Sequence, residues 1–312
     1  MRKVTLVIIG LFLIASFAAS AQEESIFHVK GDQGETVHVL PGPASARNPH
    51  FPQPSDHQPS GFATKFTFTP TYHAPLTWHG SSVISGVGVK NIFWNSSAAN
   101  AAGTLGYSTM QSQMSAFLDK FSGSPDYTII GANGNYSLSG NAISTTIRNL
   151  GTLVDTKATQ SSITDSSIQS YIAGLLTAGR LGTADSNAIY AVYFPSGMSV
   201  RLGSSRSCSS FCGYHSSFSY NGKTIKYAAY PWPCSNGCSI SGKGSADMWT
   251  IVTSHEIREA VTDPVNAWWD GTTGYEADDK CAWQQLYQLS IGAFWVQPEF
   301  SNADGNKCVG YH

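Results

Sequence analysis

The sequence predicts an α/β fold: a mixed sheet with covering helices and a disulfide-braced C-terminal half. Three observations carry this. Ala188 to Phe194 (Ala-Ile-Tyr-Ala-Val-Tyr-Phe) is a near-continuous apolar run, typical of a strand covered on both faces. Two stretches before it have helical apolar spacing: Met110, Met114, Phe117, Leu118 and Phe121, then Ile168, Tyr171, Ile172, Leu175 and Leu176. All six cysteines lie between Cys208 and Cys308.

Taken in order, Met1 to about Ala21 reads as a secretory signal. Arg2 and Lys3 precede an apolar run from Val4 to Ala18 and a small-residue exit at Ala19-Ser20-Ala21. The run is short for a membrane span. Without Arg2 and Lys3 the chain keeps 16 basic against 20 acidic residues, a charge of −4. That is too mild to suggest nucleic acid or, after signal cleavage, an anionic membrane as partner.

Residues 22–75 read as a lead-in: a linker, a propeptide or an extended arm lying on the domain. Six of the fourteen prolines fall between Pro41 and Pro59, so this stretch cannot sustain a helix or a central strand. Five of the nine histidines (His28, His38, His50, His57 and His73) lie here and are expected to be solvated, with a weak surface metal contact as the alternative. The packed domain is expected to span residues 76–312. Val83 to Trp94 and Asp126 to Ile130 read as strands. Thr164 or Asp165 can cap the second helix, which Gly179 and Gly182 end. Lys226 to Trp232 reads as a short strand. An even cysteine count in an exported chain argues for disulfides, although six cysteines allow fifteen pairings. Cys281 with Cys308 is the preferred third pair. The Cys208-x-x-x-Cys212 and Cys234-x-x-x-Cys238 spacings leave a thiolate zinc site as the alternative.

The chemistry concentrates in a helix expected to run from Ser245, which can cap it, to the stop at Pro264. Met248, Val252, His255 and Glu259 fall on one stripe of a 3.6-residue period, apolar in its first half and ionisable in its second. Burying such groups without partners costs several kcal/mol, and a metal ion can compensate them. In the zinc-peptidase pattern His-Glu-x-x-His, two ligands one turn apart hold the ion and the intervening Glu acts as base. Here His255 and Glu256 match, while Glu259 stands at the fifth position, a carboxylate that zinc also accepts. Further ligands can come from His215, Asp263, Asp270, Glu276 or Asp279, with spacing favouring Glu276 or Asp279. Two bland alternatives remain: a simple His255–Glu259 pair with Glu256 and Arg258 on a solvated face, or a structural calcium site of oxygen ligands.

Several stretches, in this order, carry a resemblance. They are Leu76-Thr-Trp-His-Gly80, Ile92-Phe-Trp94, Phe211-Cys-Gly-Tyr-His215, Tyr227-Ala-Ala-Tyr-Pro-Trp232, Cys234 with Cys238, Ser254-His-Glu-Ile-Arg-Glu259, Thr262-Asp-Pro-Val-Asn-Ala-Trp268, and Glu276-Ala-Asp-Asp279 with Cys281. Together they resemble the EXORDIUM, or phosphate-induced protein 1, family of plants and its bacterial relatives, from about Leu76 to the C-terminus. The resemblance implies an exported protein, extracellular or periplasmic. By position it carries over His255, Glu256, Glu259, Glu276 and Asp279, with Cys208, Cys212, Cys234, Cys238 and Cys281.

The resulting expectation is a secreted, zinc-dependent hydrolase, above all a peptidase. His255, Glu259, Glu276 and Asp279 are its metal ligands and Glu256 is its base; the substrate is a peptide or cell-surface polymer. The rival expectation is a non-catalytic surface or glycan-binding protein, with Trp268, Trp269, Trp283 and Trp295 stacking on sugar rings.

Overall fold

A computed structural model describes residues 25–43, 64–94, 107–158, 160–235, 237–290 and 292–312. The expected signal segment, His50 and His57 lie outside them. The centre is a seven-stranded mixed sheet. Its strands are β1 (His28–Lys30), β2 (Thr36–Leu40), β3 (Gly88–Phe93), β4 (Arg148–Val154), β5 (Ala188–Tyr193), β6 (Gly213–Tyr220) and β7 (Lys223–Tyr230). Across the sheet they run β1-β2-β6-β7-β5-β3-β4. The four from β7 to β4 are parallel, while β1, β2, β6 and β7 pair antiparallel.

β5 sits in the middle with all six residues buried. Its side chains alternate between two cores, as a strand's period of two requires. Ile189, Ala191 and Tyr193 face a core shared with helices α1 (Tyr107–Phe121) and α3 (Ser245–Thr262). Ala188, Tyr190 and Val192 face one shared with α2 (Asp165–Thr177). Both amphipathic helices therefore form as expected, and Thr164 caps α2 by accepting from the Ser167 N–H.

Three local expectations are corrected. Asp126 to Ile130 is not a strand: Pro125 opens a short helix, Pro125–Thr128, capped by the Ser124 hydroxyl. The strand expected over 83–94 covers only Gly88–Phe93. The cap of α3 is Gly244, whose N–H is accepted by Asp247 at 2.8 Å.

The lead-in is partly woven into the fold. Residues 28–40 form the edge hairpin of the sheet, with Phe27, Val37 and Leu40 in the cores. Lys65–Phe68 pairs with Lys307–Tyr311. Pro41 accepts the indole N–H of Trp283 at 2.8 Å, so a proline-rich start is compatible with tight docking.

The disulfides are Cys208–Cys234, Cys212–Cys238 and Cys281–Cys308. The third is the expected pair, and no thiolate remains for the alternative zinc site. Three bridges fit an oxidising compartment. No helix among the described residues is long and apolar enough to cross a membrane.

Candidate metal centre

Fifteen of the eighteen residues of α3 are buried, because the sheet, α1 and the C-terminal segment at Trp295–Val296 all pack against it. A helix enclosed all round has no solvated face. Glu256 and Arg258, placed on such a face by the simple-pair alternative, are both 0 % exposed. His255 and Glu259 are equally enclosed.

Arg258 does not neutralise this pair. Its guanidinium is taken by Asp278 and Glu299, with Nε 3.0 Å from Asp278 Oδ2 and 2.9 Å from Glu299 Oε2. It also donates to the carbonyls of Asp126 and Gln297.

His255, Glu259 and Asp279 converge. His255 Nε2 lies 2.9 Å from Glu259 Oε2 and 3.7 Å from Asp279 Oδ1. Their ligand atoms form a compact buried group of metal-binding type. The loop after α3 is fixed to it by backbone: the Asp279 N–H donates to Glu259 Oε1 at 3.0 Å, and the Glu276 N–H donates to Asp279 Oδ2 at 2.9 Å. The other nitrogen of His255 is 3.1 Å from Gln297 Nε2, which orients the ring.

Glu256 and Glu276 lie next door, around His215 on β6. His215 Nδ1 is 3.2 Å from Glu256 Oε2, and its Nε2 is 3.6 Å from Glu276 Oε2. A second compact buried group, His215, Glu256 and Glu259, shares Glu259 with the first. The strand approaches the helix closely: a Cβ on Gly213 would come within 2.4 Å of Val252 Cγ1. Of the remaining candidates, Asp263 lines the cleft described below. Asp270 is instead bound by Lys280 Nζ at 2.6 Å.

His38, on the lead-in hairpin, completes the cluster with Nδ1 2.7 Å from Glu276 Oε1. Neither it nor His28 is a freely solvated side chain; His73 is exposed. His28 reaches the carbonyl of Gly274 at 3.1 Å. Gly274 has φ +76° and packs under that imidazole, so a side chain there would meet the ring. His28, His38, His215, Asp263, Trp269 and Glu276 line a cleft of about 370 Å³. His255, Glu259 and Asp279 do not line it but adjoin Glu276, which does.

Burial, reinforced by neighbouring carboxylates, pushes Glu259 and Asp279 well above the usual carboxylate range. Burial also raises Glu276, while His215 opposes the rise. Burial would pull His215 down, but Glu276 and Glu256 outweigh it and raise it to about 9. Burial lowers His28 and His38 to about 4, with an adjacent imidazole adding to each shift. Folding thus disfavours protonation of His28 and His38: their contribution is present above pH 6.5 and is lost as pH falls toward 4. In metal-free protein, the His28 and His38 ring signals in a proton NMR titration are expected to hold their neutral positions down to pH 5.5. Midpoints near 6.5 would contradict the docked hairpin.

The tryptophans divide. Trp283 and Trp295 are buried, Trp268 and Trp269 half-buried. Trp269 stacks on His79 at 3.7 Å. Trp78 is 52 % exposed and pairs through its strand with Trp268.

No family model matches the chain, and no curated protein matches it. A solved structure described as "Structure of a chaperone-substrate complex" is 14% identical, with a TM-score of 0.28. The match covers 55% of this chain and 25% of that one. A likeness that slight carries no argument about fold or function.

Proposed function

We propose that the protein is an exported metal-dependent hydrolase of the EXORDIUM type, acting on peptides or a cell-surface polymer. The observation that carries this is the buried His255–Glu259–Asp279 group beside a cleft lined by Glu276 and His215. Its donor set fits an ion. His255 Nε2 is enclosed and close to two carboxylates yet makes no aligned hydrogen bond. An imidazole among carboxylates favours zinc, whereas calcium takes six to eight oxygens.

His255, Glu259 and Asp279 would hold the ion, which supplies Lewis acidity for polarising a scissile carbonyl and activating water. Proton transfer falls to Glu256, His215 and Glu276, linked from helix to cleft. The cleft walls exclude bulk solvent from one side of a bound chain and present Trp269 to its side groups. Zinc-loaded protein is expected to cleave members of a peptide library read by mass spectrometry. Cleavage should stop with a chelator and in His255→Ala.

A second reading, surface-glycan binding without turnover, is favoured by Trp269 on the cleft wall and exposed Trp78 on the neighbouring strand pair. Retention on a glycan array together with no turnover by zinc-loaded protein would select it.

A further inference from the structure

We propose that the centre holds two divalent cations of the zinc class, bridged by Glu259. The inner one would be bound by His255 and Asp279, and the outer one by His215 and Glu256. This rests on the metal-dependent reading above and extends it.

The argument begins with what a single inner ion leaves over. Such an ion satisfies His255 Nε2, Glu259 and Asp279. Glu256 Oε1 then remains without a hydrogen-bond partner, on a residue 0 % exposed. Orphaned carboxylate oxygens are among the costliest groups to bury. Glu256 belongs to the second group, in which the ligand atoms of His215, Glu256 and Glu259 lie within 4.8 Å of one another.

Charge points the same way. Arg258 is already committed to Asp278 and Glu299, so it cannot answer Glu256, Glu259, Glu276 and Asp279. Four carboxylates match two divalent cations, while one ion leaves half the charge to imidazolium or protons. Access adds a third reason. His215 and Glu276 line the cleft, whereas His255, Glu259 and Asp279 do not; the outer position is the one a substrate can approach. With it filled, His215 and Glu256 serve as ligands, and proton transfer narrows to Glu276, which His38 positions. Paired cations clamping a scissile group are an established route for hydrolysis of amides and phosphoesters.

The test is stoichiometry. Full-length exported protein, stripped with a chelator and desalted, is titrated with Zn²⁺, and bound metal is read by mass spectrometry alongside calorimetry. Wild type should bind two equivalents, His215→Ala one, and Glu259→Ala none. One equivalent in wild type overturns the paired centre and leaves the single-ion hydrolase standing. No bound zinc overturns both. The wild-type measurement decides even if a variant fails to fold, which circular dichroism will show. A Co²⁺ titration of wild type offers a second reading: two spectroscopically distinct phases support the pair, and a single phase ending at one equivalent contradicts it.

Discussion

Arg258→Met is expected to destabilise the protein by about 3–5 kcal/mol, because removing one partner of a buried ion pair leaves uncompensated charge behind. Methionine keeps much of the length and apolar stem of arginine but supplies none of its donors. Asp278 and Glu299 are both 0 % exposed and both lean on this guanidinium. The carbonyls of Asp126 and Gln297 would lose a donor as well. The arginine thus ties α3 to the short helix at Pro125–Thr128, to the loop carrying Asp279, and to the strand at Glu299–Ser301. Urea denaturation measures the loss. Adding Glu299→Gln should recover part of it by removing one stranded charge. A loss below about 1 kcal/mol would mean that solvent reaches these carboxylates once the guanidinium is gone.

Glu259→Gln is expected to abolish stabilisation by zinc while leaving the metal-free fold intact. Burial and the carboxylates around it hold Glu259 well above the ordinary range in the metal-free protein. Its folded-state value exceeds the unfolded one. The neutral form is therefore what folding favours, its contribution is complete at low pH, and it fades as pH rises through the raised value. Glutamine resembles that neutral form. Glutamine cannot replace the anionic ligand that a divalent ion requires. At a zinc concentration one hundred times Kd, wild type gains about 2.7 kcal/mol for each ion bound, and the variant should gain nothing. Thermal unfolding with and without zinc measures both quantities. A full zinc-induced shift in the variant would remove Glu259 from the ligand set.

The stripe through Met248, Val252, His255 and Glu259 was legible because helical periodicity places those residues on one side whatever surrounds them. The central strand was legible because an uninterrupted apolar run has no solvated face to offer. Glu276 and Asp279 were reachable as candidates, since a loop following the helix must pass its C-terminal half.

His38 was not legible. A five-residue strand beside a proline-rich stretch has no local signal strong enough to override that composition, and its place is fixed by pairing of Val39 and Leu40 with β6. β6 itself carried a usable signal. Asn221 and Gly222 both have positive φ between two paired strands, and an Asn-Gly turn between such runs marks a hairpin. The enclosure of Glu256 depends on β6, whose Gly213 and His215 pack against it, and that of Arg258 on Asp278, Gln297 and Glu299, all outside the helix. No window on the helix could reveal it.

The most direct test of the central claim is diffraction from zinc-soaked crystals, recorded above and below the zinc absorption edge. An anomalous peak enclosed by His255 Nε2, a Glu259 oxygen and an Asp279 oxygen is the predicted result. No peak there, with His255 and Glu259 closed on each other as an ordinary hydrogen-bonded pair, would contradict it.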